Sequence, residues 1–156
     1  MPDDSIKICD INLRLDYYTK AIVDNSIKMS NMLKINDEEI IKIAKLFDWN
    51  GSEEEICRRL LREYELRILI LTKGTEGSYV FTPDLTSFLP SPRVHVADTV
   101  GAGDSFTAAF TAAYLNGQTV EEAHCLAAEV AAYVCQQHGA MPRLADSFLE
   151  LFRDRG

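Results

Sequence analysis

The segment HVADTVGAGDSF, His95 to Phe106, carries the residues best suited to chemistry. Two glycines, Gly101 and Gly103, flank Ala102 just ahead of an alanine-rich stretch, and a single carboxylate, Asp104, follows them. Glycine reaches backbone conformations closed to other residues and lets a ligand approach the main chain. The first N–H groups of a helix lack intrahelical acceptors and carry partial positive charge, so such a turn suits an anion, above all a phosphoryl group. A carboxylate there repels the anion, which makes sense if the carboxylate is a base. Asp104 would take the proton of a substrate hydroxyl while the turn formed by Gly101, Ala102 and Gly103 stabilises charge growing on a transferred phosphoryl group. The plainer alternative is an acid placed favourably at a helix start, a contribution of about 1 kcal/mol. The segment alone leaves both readings open.

Other site patterns are absent. Phe106 stands where GxGxxG requires a third small residue, and GxxxxGK[ST], HExxH and GxSxG do not occur. His95, His124 and His138 are isolated and read as surface or core residues. Cys9, Cys57, Cys125 and Cys135 form no CxxC pair and are expected to be reduced, mostly buried thiols. A net charge of −8 argues against nucleic acid as the main partner, because phosphate backbones are held by clustered Lys and Arg. No apolar run reaches membrane-spanning length and MPDDSIKICD lacks the features of a signal peptide, so no membrane partner and a cytoplasmic location are expected. With 156 residues, 47% of them apolar and 26% charged, the chain is expected to form a single domain over 1–156.

Strand-like and helix-like segments alternate along the chain and must position the candidate site. SIKICDINL predicts a buried strand, DYYTKAIVDNSIKMS a helix, and NMLKI a second short strand. Asn36 with Glu39, and Ser52 with Glu55, have the form of helix starts, each ahead of an apolar stripe. RILILT reads as a strand buried on both faces, and GSYVFTPDLTSFLPSPRVHV as two or three short strands broken by Pro83, Pro90 and Pro92. Two alanine-rich helices follow. One is expected from Ser105 to about Asn116, the other from Thr119 to about Gln137 with Gly139 behind it, and Asp146 is expected to cap a last helix. This order predicts an open, mainly parallel α/β sheet, whose ligands gather at the carboxyl ends of its strands.

DTVGAGDSFTAAF closely resembles the carboxyl-terminal signature of the PfkB, or ribokinase-like, family of ATP-dependent sugar kinases. LKINDEE resembles the family's NxxE element, LTKGTEGSYVF its nucleotide-binding strand and turn, and CDINLR a strand end of the fructokinase and 2-keto-3-deoxygluconate kinase branch. The resemblance implies ATP and Mg2+ as cofactors and a small-molecule sugar as substrate. Asp104 would be the base, Gly101, Ala102 and Gly103 the anion hole, and Asn36 and Glu39 the organisers of the water shell of Mg2+. Thr72 and Gly74 would lie against the ATP phosphates, Gly77 would shape the hairpin, and Arg14 would reach the substrate or the transferred group. Val130, Ala131 and Val134 fall on one helical face and would line the adenine, although core packing accounts for them equally. Asn36 with Glu39 also reads as a simple capping pair, Thr72-Lys73-Gly74 as a turn, and Lys34 as facing either phosphate or solvent. For K+, the positions that match the family are Asp98, Val100 and Gly139; Arg143, where several relatives carry a small hydroxyl residue, departs from that pattern.

The resemblance maps onto only the second half of the family's fold. The expected architecture is therefore a ribokinase-like open, mainly parallel sheet with helices on both faces, truncated to its C-terminal half and lacking the β-lid. A sheet cut in mid-fold exposes an edge and a face, so a homo-oligomer, or pairing with the missing N-terminal half, is expected. The implied reaction is ATP + sugar → ADP + sugar phosphate, with fructose or a 2-keto-3-deoxy sugar acid favoured over ribose and nucleosides. The competing expectation is a non-catalytic nucleotide-binding or assembly module derived from such a kinase.

Overall fold

Residues 5–15, 17–93, 97, 99, 101–137, 146, 148 and 150 are described by the computed structural model of the chain. In chain order the elements are β1 (Ile8–Asp10), α1 (Lys20–Lys28), β2 (Met32–Asn36), α2 (Asp37–Phe47), α3 (Glu53–Glu63), β3 (Ile68–Thr72), a 3-10 turn (Gly74–Glu76), β4 (Ser78–Phe81), β5 (Thr86–Leu89), α4 (Ala102–Leu115) and α5 (Val120–Cys135). They fall into two compact units, Met1–Lys73 with Ser78–Phe88, and Gly74–Gly77 with Leu89–Gly156.

The five strands form one sheet in the order β1-β2-β3-β4-β5. β1, β2 and β3 run parallel, joined by connections long enough to hold helices, whereas β4 returns antiparallel to β3. The reason is reach. Lys73–Gly77 is too short for the crossover that a parallel neighbour requires, so the chain turns back on itself.

One face of the sheet buries Leu33, Ile35, Leu69, Leu71 and Phe81 in a core shared with Val23 and Ile27 of α1, Ile40 and Ile43 of α2, and Ile56 and Leu60 of α3. The alternate positions Met32, Ile68, Ile70 and Val80 are buried too. β2 and β3 are thus buried on both faces, as the unbroken apolar run of β3 implies and as β2 achieves despite Lys34 at its centre. Arg58 of α3 fastens that helix to the β4–β5 hairpin, donating to the Thr82 carbonyl at 2.5 Å and to the Thr86 hydroxyl, with its guanidinium over the Phe81 ring.

The start signals at Asn36, Ser52 and Thr119 are all realised as reciprocal capping boxes. α4 differs from expectation. It begins at Ala102, not Ser105, because Gly101 adopts a left-handed conformation, φ 81°, and no side chain caps the helix. α5 ends at Cys135 rather than near Gln137. Residues 94–96, where a third short strand was one of the two readings, and Gly139 lie outside the described residues. Asp146, Phe148 and Glu150 are helical, and the rest of the expected last helix also lies outside. Among the described residues no helix is long and apolar enough to cross a membrane.

All four cysteines are free, but only Cys57 is buried, while Cys9 and Cys135 are half-buried and Cys125 is exposed. The expectation of mostly buried thiols is corrected accordingly. Burial pushes the Cys57 thiol up to about 12, so it stays protonated.

In the second unit α4 packs along α5 through Phe106, Ala109, Phe110 and Ala113 on one side and Ala123, Leu126, Ala127 and Val130 on the other. His124 is wholly buried in α5, its ring 5.9 Å from that of Phe106 in an edge-on arrangement. Burial lowers its pKa from 6.5 to about 4. Between those values the unfolded chain binds a proton that the folded chain does not, so the stabilising contribution is complete above pH 6.5 and is lost as pH falls toward 4. Denaturant unfolding followed from neutral pH down to the acid end of this window should show a loss of about 3 kcal/mol from this residue. In His124→Gln that part of the slope should disappear.

Candidate functional site

In the first unit, the carboxyl ends of the parallel strands bring several candidate residues side by side. Asn36, the last residue of β2, is the register partner of Thr72, the last residue of β3, and Asp10 of β1 is the partner of Lys34. Asn36 then caps α2. Its Oδ1 accepts the Glu39 N–H at 2.8 Å, and Glu39 Oε2 accepts the Asn36 N–H at 2.9 Å. The strand end and the helix start are locked by one pair of residues.

Glu39 is buried, at 6% exposure. Burial pushes its pKa above the usual carboxylate range, opposed by the Asn36 N–H, the Lys34 charge and the Leu13 N–H, while the Asp10 charge adds to the rise. Lys34 is buried as well, and its Nζ lies 3.2 Å from Asp10 Oδ1. Of the two directions open to it in sequence, solvent is therefore ruled out. An acid, a base and a second acid share this partly dry edge, a setting in which charges act strongly on one another.

Arg14 follows β1 on an exposed stretch, with its Nε donating to Asn12 Oδ1 at 2.9 Å. Ile11 and Leu13, by contrast, turn into the core. The strand predicted over SIKICDINL narrows to Ile8–Asp10, yet the Ile11 N–H still donates to the Lys34 carbonyl at 3.2 Å.

The second unit holds the glycine-rich helix start. The Ala102 N–H donates to the Thr99 carbonyl at 3.3 Å, and the Ser105 N–H to the Gly101 carbonyl at 2.9 Å. Gly103 and Asp104 lie between these two, in the first turn, where an N–H has no acceptor four residues back within the helix. Asp104 is exposed. Gly74, φ 53°, has open space where a side chain would start, whereas a methyl on Gly77 would collide with the Leu89 carbonyl oxygen. Val130 and Val134 are buried, and Ala131 is half-buried. Asp98, Val100, Gly139 and Arg143 lie outside the described residues.

Within the first unit the structure thus brings together Asn36, Glu39 and Thr72, with Arg14 on the adjoining loop. Within the second it presents Gly101, Ala102, Gly103 and Asp104 on one helix start. Asp10 and Lys42 had no role in sequence. Asp10 was detectable only through its register with Lys34, and Lys42 only as the next residue on the Glu39 face of α2.

The model of pfkB family carbohydrate kinases matches residues 5–146. The chain belongs to this family. Among its relatives, a nucleoside kinase of Methanocaldococcus jannaschii is 29% identical over 133 residues, spanning 83% of this chain and 41% of the relative. Probable fructokinase-6, chloroplastic, of Arabidopsis thaliana is 30% identical over 149 residues, spanning 86% of this chain and 38% of its own. The ribokinase of Thermotoga maritima superposes with a TM-score of 0.77 at 25% identity, over 96% of this chain and 49% of that one. The chain therefore has the fold of ribokinase-type kinases and spans half the length, or less, of these relatives.

The Asn36 cap can be separated from any ligand role. Asn36→Ala leaves the Glu39 N–H unmet and should cost about 1 kcal/mol in urea unfolding, whereas Asn36→Asp, which still accepts that N–H, should stay within a few tenths of it.

Proposed function

We propose that this chain carries the ATP site and the catalytic base of a kinase that phosphorylates a sugar hydroxyl. The observation that supports the reading best is the start of α4, where a left-handed Gly101 opens a helix with no side-chain cap and Asp104 stands exposed in the first turn. The other capped helices spend a side chain on their first N–H groups. Here those donors remain available to a developing anion.

In this reading Asp104 accepts the proton of the attacking hydroxyl, and the Gly101–Gly103 turn stabilises charge on the phosphoryl group as it moves. Thr72 and Gly74 sit against the ATP phosphates, Gly77 shapes the hairpin, and Val130 and Val134 back the adenine side from within the α5 core. Asn36 and Glu39 suit the water shell of Mg2+, since a carboxylate and an amide carbonyl are hard oxygen donors and Mg2+ keeps several waters. The bound metal would draw charge off the phosphates. Arg14 holds the acceptor or the transferred group, and the matched fructokinase and nucleoside kinase suggest a sugar or a ribose hydroxyl as the acceptor.

A coupled phosphotransfer assay over fructose, 2-keto-3-deoxy sugar acids, ribose and nucleosides tests this. Turnover on one of them, reduced about a hundredfold or more in Asp104→Asn, is the expected result. Equal turnover in the variant would remove Asp104 from the mechanism. ATP binding without transfer to any acceptor would favour the nucleotide-binding or assembly module instead.

A further inference from the structure

The loop that carries Arg14 is held in an unusual way. The Arg14 N–H donates back to the Asn12 carbonyl at 2.9 Å, closing a three-residue turn centred on Leu13. Such a turn uses neither the N–H nor the C=O of its central residue. Both are taken by α2. The Leu13 N–H is directed at the Glu39 carboxylate, and Lys42 Nζ donates to the Leu13 carbonyl at 2.9 Å. Glu39 and Lys42 stand one helical turn apart, so both reach the same loop residue.

The Leu13 side chain is meanwhile buried in the core, at 8% exposure, which fixes the centre of the turn from a third direction. Leu15 then adopts a left-handed conformation, φ 55°, which non-glycine residues hold where surrounding structure constrains them. The Arg14 side chain leaves this anchored stretch toward solvent, with Asn12 orienting its Nε.

We infer that Lys42 is a positioning residue: with Glu39 it grips Leu13 by its carbonyl and amide, and so sets where Arg14 presents its guanidinium to the substrate. The consequence for catalysis rests on the kinase reading above; the clamp itself does not. Lys42 touches no reacting atom. Its ammonium makes a charge-assisted hydrogen bond to a backbone carbonyl, which is among the stronger contacts available to a loop.

The test uses the full chain with Lys42→Met, which keeps the apolar stem and removes the donor, and with Lys42→Arg, which restores one. Hydrogen exchange resolved at single amides should run about tenfold faster at Leu13 and Arg14 in Lys42→Met, with β2 and β3 unchanged, and should return toward the parent rate in Lys42→Arg. In the phosphotransfer assay Lys42→Met should raise the acceptor KM with the ATP KM unmoved, and should add nothing to Arg14→Ala. Unchanged exchange at Leu13 and Arg14 would overturn the clamp whether or not the chain turns over. A raised acceptor KM in Arg14→Ala but not in Lys42→Met would overturn the positioning role. An acceptor KM untouched by Arg14→Ala would instead remove Arg14 from the substrate, a failure of the functional reading that the exchange data would not share.

Discussion

The buried carboxylate of Glu39 is the constraint on which the first unit turns. A charge taken out of water must be met by donors, and this one draws them from two separate pieces of chain: the Asn36 N–H at the end of β2, and the Leu13 N–H beyond β1. Meeting that need joins the strand end, the helix start and the neighbouring loop at one point. Lys34 and Asp10 complete the arrangement, since a lysine buried beside a carboxylate needs a partner of its own and has one on the next strand. The same groups that secure the fold also define the chemistry of the edge.

The second unit solves a related problem the opposite way. Most of its helical donors and acceptors are met locally, as in the Thr119–Glu122 box that opens α5. α4 is left without a side-chain cap, and glycine at its entry supplies a backbone conformation that other residues hold only under strain. Helix-start donors that no side chain caps cost little at the surface, because water can serve them. Beneath them His124 sits in the dry seam between α4 and α5, where burial holds its ring neutral and lets it pack as an aromatic against Phe106.

The match to pfkB carbohydrate kinases agrees with the α/β framework described above, in which α4 opens without a side-chain cap and with an exposed carboxylate in its first turn. The relatives include a nucleoside kinase and a probable fructokinase. This chain spans half or less of their length.

Short-range features were legible in the sequence because their physics is short-range. The Asn36–Glu39, Ser52–Glu55 and Thr119–Glu122 caps each need only two residues three apart, and all formed. The apolar run of β3 announced a strand buried on both faces, and the Gly101–Asp104 run announced the start of a helix. Tertiary structure decided what depends on distant neighbours. It buried Lys34 against Asp10, raised the Glu39 pKa by desolvation, and set Lys42 on the Leu13 carbonyl. It also began α4 at Ala102, since a glycine in a left-handed conformation can open a helix without the side-chain signal by which sequence marks a cap. Spacing along the chain specifies which residues can pair within one turn of helix. Burial, and therefore charge, is specified only once separate segments have been packed together.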